Sequence, residues 1–295
     1  MAQIREELIG VTGVSGAVGA KVASLLAAQG HRLRLVARTP AKAPSLPGAE
    51  VVPFSASYDD PEALHTAFDG VHTLFLVSAH EAHDRVALHH NAVRAAVEAK
   101  VERIVYLSFL AAAPDATFTY ARDHYYTEEM IYSSGLAYTF LRSSLYADIV
   151  PHLCRDDGTI AGPAGDGYIA WVARDDVAPA AAGVLGEGDE HDGRTYDLTG
   201  SQTLTMAETA AVLAKAVSRP ITYQDESLDE AWASRASSGA PHWEIEGWIT
   251  SYAAIATGEM DVVSAAVGDL TGRDPIPLLD VLRGNPEALR RLTRV

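Results

Sequence analysis

The first half of this chain is most constrained by the regular alternation of short apolar runs with helical patterns. The first run, Leu8–Thr12, is followed by a pattern at 17–29 in which apolar residues recur at helical spacing. Five more apolar runs lie at 32–37, 50–54, 74–77, 104–108 and 137–141. Helical patterns lie between them at 60–68, 81–99 and 122–134. The alternation predicts an α/β fold of Rossmann type, a doubly wound parallel sheet covered by helices on both faces.

The alternation loosens after about residue 143. The later pattern predicts helices at 144–153, 175–186, 206–217, 227–237, 243–257 and 276–283, and short strands near 169–173, 194–199 and 221–224. We therefore expect a Rossmann domain at 1–143 and a smaller C-terminal α/β lobe at 144–295 on the substrate side. The lobe is expected to pack on the first domain as part of one structural unit.

Composition excludes several classes of partner. The formal net charge of -16 repels phosphate backbones, so no nucleic-acid partner is expected. No run of about 18 apolar residues is present, and the N-terminal residues do not resemble a signal peptide, so neither a membrane span nor secretion is expected. Cys154 is the only cysteine, which rules out an internal disulfide and agrees with a cytoplasmic location.

A glycine-rich segment joins the first predicted strand to the first predicted helix. Gly13, Gly16 and Gly19 have the spacing GxxGxxG in a strand–turn–helix context. Such glycines permit a tight turn, close approach of the backbone to a pyrophosphate, and close packing of helix on strand. The segment predicts a dinucleotide site. The alternatives are a turn with no ligand and a serine-hydrolase elbow, but GVSG does not match the GxSxG pattern of that elbow.

The end of the second predicted strand indicates which dinucleotide is bound. Sites for NAD usually have an acidic residue there, which binds the ribose 2′-hydroxyl. This chain instead has Arg38, 19 residues after Gly19, followed by Lys42 and no acidic residue nearby. A guanidinium can bind a 2′-phosphate, so the sequence predicts NADP(H) as the cofactor. The alternative is that both basic residues are simply solvated.

These motifs and several longer segments resemble the NmrA-like group of atypical short-chain dehydrogenases/reductases. Within that group the chain is most similar to the NAD(P)H:quinone reductase and triphenylmethane-dye reductase branch. The matching segments are GVTGVSGAVG (10–19), LVARTPAK (35–42), SYDDPEAL (57–64), RIVYLS (103–108), RDHYYTEEMIYSSGLAYTFLRSSLYADI (122–149), VARDDVAPAAAGVL (172–185) and TGEMDVVSAAVGDLTGRDPIPLLDVL (257–282). Together they extend over most of the chain.

The resemblance implies a set of cofactor-binding positions. In chain order, they are Gly13, Ser15, Gly16, Ala17 and Val18 at the pyrophosphate; Arg38 and Lys42 at the 2′-phosphate; Ser57 and Tyr58 at the adenine; and Ser78, Ala79, Ser108, Phe109, His124 and Leu145 around the ribose and nicotinamide. Tyr146 is implied to contact the nicotinamide and the substrate. The branch often has aspartate at the position of Ser57, so adenine recognition is expected to differ here.

The acid–base group is incomplete by the standard of ordinary short-chain dehydrogenases. Those enzymes use Tyr-x-x-x-Lys, in which lysine lowers the pKa of the tyrosine and binds ribose. Here the window is Tyr120-Ala-Arg-Asp-His124, with histidine in place of lysine. Three candidates for a catalytic role follow, namely His124, Tyr146 and Tyr120. His124 can bond a ribose hydroxyl or relay a proton, and Tyr120 can be a packing residue.

Four histidines lie close together at His80, His83, His89 and His90. They lack the HExxH spacing and a cysteine partner, so no metal site is expected. We expect the first two to lie near the mouth of the cofactor site and the other two to be solvated.

The resulting hypothesis is an NADPH-dependent reductase that acts on an electron-poor small molecule, aromatic or quinone-like. Two alternatives remain open. One is a non-catalytic NADP(H)-binding sensor of the NmrA type, and the other is a reductase with a dedicated substrate in one pathway. The sequence leaves both a monomer and a homodimer open.

Overall fold

The computed structural model describes residues 7–53 and 58–293. Within these residues the strands are β1 (Leu8–Val11), β2 (Arg32–Ala37), β3 (Glu50–Pro53), β4 (Thr73–Val77), β5 (Arg103–Phe109), β6 (Ala137–Ser143), β7 (Thr159–Gly162), β8 (Tyr168–Ile169), β9 (Arg194–Leu198), β10 (Leu204–Thr205) and β11 (Thr222–Asp225). The helices are α1 (Ala17–Ala28), α2 (Pro61–Phe68), α3 (Arg85–Glu98), α4 (Thr119–Ser133), α5 (Val150–Leu153), α6 (Arg174–Gly186), α7 (Met206–Val217), α8 (Leu228–Arg235), α9 (His242–Ala256), α10 (Ala266–Thr271), α11 (Leu278–Gly284) and α12 (Pro286–Thr293).

In the described part of the chain, seven strands form the main sheet, in the order β3-β2-β1-β4-β5-β6-β9. The strands from β3 to β5 run parallel, and Val11 of β1 lies between Leu35 of β2 and Phe75 of β4. The chain order reverses between β1 and β4. In open parallel sheets a ligand binds outside the carboxyl ends of the strands at such a reversal. The predicted fold class is confirmed.

Burial explains why these residues form a parallel sheet. All seven residues of β5 are buried, as a strand covered on both faces requires. The helices present apolar faces to the sheet, and α2 starts with Pro61 behind Asp60, whose side chain accepts a hydrogen bond from the amide of Ala63. Gly30 ends α1 with a φ of +84°, a conformation that favours glycine.

The described residues form two compact units, each assembled from separate stretches of the chain. Unit 1 contains the residues up to Phe109 together with Asp123–Arg142 and Val177–Tyr196. It holds most of the main sheet. Unit 2 contains Leu110–Arg122, Ser143–Asp176 and the residues from Asp197 onwards.

Unit 2 combines helices with two small sheets. Within it β7 pairs with β11 in parallel and β8 pairs with β10 in antiparallel fashion. Two of its helices begin with a capping box, α7 at Thr205 and α8 at Ser227. The C-terminal lobe of the predicted fold class is therefore confirmed, whereas the predicted division of the chain at residue 143 stays a prediction.

The prediction of one helix over 144–153 was wrong. The structure has a short 3-10 turn at Ala147–Ile149 and then α5. The preceding residues are extended because this segment forms backbone hydrogen bonds with a distant one. The amide of Ala147 donates to the carbonyl of Val172, and the amide of Val172 donates to the carbonyl of Leu145. None of the helices in the described residues is long and apolar enough to cross a membrane.

Candidate cofactor site

Two glycines shape the turn after β1. Gly13 has a φ of +65°, and a Cβ there would lie 2.8 Å from the Cβ of Val77. A Cβ on Gly19 would lie 2.4 Å from the carbonyl oxygen of Gly13. A larger residue at position 19 would therefore push α1 away from the turn, and one at position 13 would be strained and would meet the end of β4, as expected for the first and third glycines of a phosphate-binding turn.

Gly16 is under no comparable constraint from the protein. Its φ of -94° and ψ of 166° suit any residue, and a Cβ there would meet only the carbonyl oxygen of Gly13, at 3.3 Å. Ser15, Gly16 and Ala17 are exposed, whereas Val18 is buried. The packing of the fold therefore does not require glycine at position 16, and the contact of Gly16 with a pyrophosphate stays a prediction.

The N-terminus of α1 suits an anionic ligand. Its capping residue is Gly16, no side chain among the described residues caps it, and its first turn has no acidic residue. Intrahelical bonding starts with the amide of Ala20, which donates to the carbonyl of Gly16, so the preceding amides of the first turn can bind phosphate.

The two basic residues predicted to bind the 2′-phosphate are both exposed. Arg38 directly follows β2, and Lys42 ends a 3-10 turn at Pro40–Lys42. Because β1 and β2 are parallel neighbours, Arg38 lies at the same edge of the sheet as the glycine turn. A positive charge there fits the 2′-phosphate of NADP(H).

Tyr58 is buried beneath this edge. Its hydroxyl donates to the carbonyl of Val77 at 2.7 Å and lies 2.9 Å from the hydroxyl of Thr12, which also accepts from the amide of Val77. Burial raises the pKa of Tyr58 to about 12, against the opposing effects of Thr12 and Arg38. The hydroxyl therefore ties β1 to β4, and adenine contact stays a prediction. Ser57 lies outside the described residues.

Ala79, just beyond β4, is held by two side chains of α3. The Nε of Arg85 donates to the carbonyl of Ala79 at 3.0 Å, and the amide of Ala79 donates to Nε2 of His89 at 2.9 Å. Both polar backbone atoms of a predicted cofactor-binding residue are thus fixed from one helix. Ser78 next to it is half-buried.

His124 lies buried in α4 with polar partners on two sides. Its Nε2 is 3.3 Å from Nη2 of Arg85, and its Nδ1 is 2.8 Å from the hydroxyl of Tyr106 on β5. The ring of Phe109 lies 6.0 Å away, between centroids. Burial, followed by the charge of Arg85, holds the pKa of His124 well below its usual range. His124 is therefore a neutral imidazole in this structure.

The expectation that His89 is solvated was wrong. Its side chain is fully buried, because Arg85, Leu88, His89 and Ala92 share the buried face of α3. Burial and then Arg85 lower the pKa of His89 to about 3. The other three histidines of the group are exposed. The described residues contain no group of three or more His, Cys, Asp or Glu side chains that could hold a metal ion.

Arg85 was not among the predicted site residues, although the sequence contains a signal for it. Arginine and histidine four residues apart on an otherwise apolar helix face indicate buried polar groups with dedicated partners. Ser108, by contrast, was named, and its hydroxyl donates to Glu128 at 2.5 Å. Glu128 also accepts hydrogen bonds from Nε and Nη2 of Arg142, at 2.9 and 2.5 Å. Ser108 therefore belongs to a buried ion-pair network at the end of β5.

Tyr120 belongs to unit 2 and packs against α9. A Cβ on Gly247 would lie 2.4 Å from Cζ of Tyr120, so the glycine makes room for the phenol ring. The rings of Phe118 and Trp243 lie 5.3 and 6.4 Å from it. The surroundings of Tyr120 in this unit are thus aromatic and close-packed.

Leu145 and Tyr146 are half-buried in unit 2, at the end of β6. The guanidinium of Arg174 lies 4.9 Å from the centre of the Tyr146 ring, and the hydroxyl of Ser143 lies 3.4 Å from the Tyr146 hydroxyl. Burial raises the pKa of Tyr146, so it is a neutral phenol at physiological pH. Contacts of Leu145 and Tyr146 with cofactor or substrate stay predictions.

A Rossmann sheet, an uncapped helix N-terminus behind a glycine turn, and an arginine after the second strand together define a dinucleotide-binding protein. The family described as NAD(P)H-binding matches residues 13–188. Quinone oxidoreductase 2 of Escherichia coli is 36% identical over 239 residues, which cover 79% of this chain and 83% of the relative. The chain belongs to this NAD(P)H-binding family, among its NmrA-like oxidoreductases.

Two further proteins place the chain more closely. The (4-alkanoyl-5-oxo-2,5-dihydrofuran-3-yl)methyl phosphate reductase of Streptomyces griseus is 32% identical over 289 residues, 95% of this chain and 99% of the relative. The Citrobacter sp. triphenylmethane reductase complexed with NADP(H) has a TM-score of 0.80 at 30% identity, with 94% of this chain and 99% of that chain covered.

The Escherichia coli quinone oxidoreductase has also been solved with NADPH. That structure has a TM-score of 0.85 at 32% identity and covers 94% of this chain and 99% of its own. The expected branch, the NADP(H) cofactor and the assignment as a reductase are confirmed by these matches. The geometry agrees, because Gly16 and the first turn of α1 can accept a pyrophosphate and Arg38 can accept the 2′-phosphate.

Proposed function

We propose that this protein uses NADPH to reduce an electron-poor small molecule, such as a quinone or an aromatic dye. The observation that carries the proposal is Gly16, which the fold itself does not require to be glycine, at the uncapped start of α1. The quinone oxidoreductase and triphenylmethane reductase relatives support this class of acceptor.

The site residues have separate roles in the proposal. The segment from Gly13 to Val18 holds the pyrophosphate, and Arg38 with Lys42 binds the 2′-phosphate. Ala79, immobilised by α3, and His124 position the ribose and nicotinamide. Tyr146, a neutral phenol, contacts the acceptor.

The proposed class of acceptor follows from the incomplete acid–base group, in which histidine replaces the lysine of Tyr-x-x-x-Lys. The bound cofactor supplies hydride, and the protein supplies orientation. Hydride transfer to an ordinary ketone builds an alkoxide that needs a proton donor at once. A quinone gives a delocalised anion and a cationic dye gives a neutral product, so positioning can carry much of the rate. The close packing of Tyr120 against Gly247 supports a structural role for that tyrosine.

A second candidate is a reductase with one dedicated substrate in a biosynthetic pathway. The observation in its favour is the Streptomyces griseus phosphate reductase, which matches 95% of this chain. A phosphorylated unsaturated lactone is the corresponding class of substrate. It is also an electron-poor acceptor, so the same cofactor geometry serves both candidates.

The test is a panel of acceptors with NADPH oxidation followed by absorbance. We expect turnover with a naphthoquinone or a cationic triphenylmethane dye, and weaker turnover with simple ketones. Preferred turnover of a butenolide phosphate would establish the second candidate instead. Tight NADPH binding by calorimetry with no oxidation by any acceptor would refute both and favour a non-catalytic sensor.

A further inference from the structure

Arg85 is a buried cation that sits behind the predicted nicotinamide end of the site. Its guanidinium contacts the carbonyl of Ala79, Nε2 of His124, and the carboxylate of Asp123 at 3.7 Å. A buried guanidinium is costly unless it is paired and hydrogen-bonded. An apolar residue would fill this position on the buried face of α3 at less cost, so the cation calls for a functional explanation.

The hydrogen bonds determine where the proton of His124 resides. A guanidinium has donors and no acceptor, so Nε2 of His124 must receive the hydrogen bond from Arg85 through its lone pair. The proton of the neutral ring is therefore on Nδ1, which donates to the hydroxyl oxygen of Tyr106 at 2.8 Å. A second proton on Nε2 would point an N–H group at a cation.

The neighbouring histidine follows the same logic. The amide of Ala79 can only donate, so Nε2 of His89 accepts and its Nδ1 carries the proton. That proton points at the hydroxyl oxygen of Thr127, 2.7 Å away, and Thr127 donates in turn to the carbonyl of Asp123. The tautomers of His89 and His124 are thus both set by groups that can only donate, namely the amide of Ala79 and the guanidinium of Arg85.

The charged and titratable groups that face His124 come from three elements. From α3 they are Arg85 and His89, from β5 Tyr106, and from α4 Asp123 and Glu128, the last acting on Tyr106. The carboxylate of Asp123 balances the charge of Arg85. Burial raises the pKa of Asp123, and Arg85 opposes that rise.

We propose that Arg85 is a positioning residue that fixes His124 as the neutral Nδ1–H tautomer and occupies its Nε2, so that His124 transfers no proton to the reactants. The proposal rests on the reductase function proposed above. One hydride from NADPH and one proton from water then convert a quinone into a hydroquinone, leaving NADP⁺ and hydroxide. A cationic dye needs the hydride alone. The site is thereby restricted to acceptors that tolerate hydride before a proton.

The first test reads the tautomer directly in the wild-type protein with NADPH bound. Nitrogen-15 NMR of labelled histidine, with His124 assigned by the loss of its signals in His124→Gln, should show a protonated Nδ1 and an unprotonated Nε2. Neither signal should change between pH 8 and pH 5.5. A protonated Nε2, or titration of His124 in this range, overturns the proposal. This measurement needs no acceptor, so it stands even if the proposed activity is not found.

The second test reads the tautomer of His124 in Arg85→Gln with NADPH bound. The side-chain amide of glutamine has an acceptor as well as donors, so Nε2 of His124 no longer faces a group that can only donate. Burial, the first cause of the low His124 pKa, remains in the variant, so the ring stays neutral and its tautomer is what can change. A protonated Nε2 should therefore appear in the variant at pH 8 and be missing from the wild type.

Two further variants separate this role from a merely structural one. Arg85→Lys keeps a cation that can only donate and should restore the wild-type Nδ1–H spectrum. Arg94→Gln removes an exposed arginine of the same helix, which pairs across the surface with Glu98, and should leave the spectrum unchanged. A spectrum of Arg85→Gln that shows the Nδ1–H tautomer alone overturns the proposal. If Arg85→Gln does not fold, the Arg85→Lys and wild-type spectra decide it.

Discussion

Replacement of two glycines of the same turn should separate cofactor binding from folding. Gly16→Val places its Cβ at an allowed φ and ψ, 3.3 Å from the carbonyl oxygen of Gly13; apart from its two chain neighbours, no other atom of residues 7–53 and 58–293 lies within 4 Å. Gly19→Ala places its Cβ 2.4 Å from that same oxygen and 2.8 Å from the carbonyl oxygen of Thr12. The first contact requires a shift of a few tenths of an ångström, whereas the second forces backbone atoms much further apart.

The two contacts translate into different free energies. Gly16→Val should change the free energy of unfolding by less than about 1 kcal/mol, because the native conformation suits valine. Its side chain occupies the space of the pyrophosphate, so NADPH affinity should fall at least ~100-fold, about 2.7 kcal/mol. Gly19→Ala should lower the free energy of unfolding by about 1–3 kcal/mol, as overpacking does.

The assay combines titration calorimetry with NADPH and urea unfolding of each variant. Gly268→Val is a matched control, since a Cβ there would meet only the carbonyl oxygen of Arg273 at 3.8 Å. It should alter neither quantity greatly. Normal NADPH binding by a folded Gly16→Val protein would refute the placement of the pyrophosphate. Equal stability of Gly16→Val and Gly19→Ala would refute the steric argument.

Four other predictions concern the site and the residues packed behind it. Arg38→Glu should reverse a preference for NADPH over NADH that we expect to be at least ~10-fold, about 1.4 kcal/mol, in calorimetry; equal affinities in the wild type would contradict it. His89 has a pKa of about 3 when folded. Because only the unfolded chain takes up its proton below about pH 6.5, the free energy of unfolding should fall by about 2 kcal/mol from pH 7 to pH 5 on its account. Urea unfolding of His89→Gln should lack that share, and an unchanged pH dependence would count against the assignment. Tyr120→Phe should retain most quinone reduction in stopped-flow, whereas Tyr146→Ala should raise the KM for the acceptor more than that for NADPH. A ~1000-fold slower hydride step in Tyr120→Phe would make Tyr120 a general acid.

The limits of sequence reasoning show in individual residues. The burial of His89 was not predicted. His89 and His90 are adjacent and have the same surrounding sequence, yet His89 is buried and His90 is exposed. Helical phase decides between them, and the exact start of α3 at Arg85 sets that phase. The segment 144–149 was predicted as helix, since propensity cannot foresee that its backbone bonds the distant Val172.

The sequence by itself determined the Rossmann sheet, the phosphate-binding turn and the basic residue after β2. These features depend on local periodicity, on glycine spacing and on charge at a strand end, all of which are visible within about 30 residues of chain. The tertiary structure alone decided which protonation states the site can hold. The two ring nitrogens of His124 meet Arg85 on another helix and Tyr106 on a strand. Arginine can only donate hydrogen bonds, but no spacing along the chain shows that Arg85 lies beside His124.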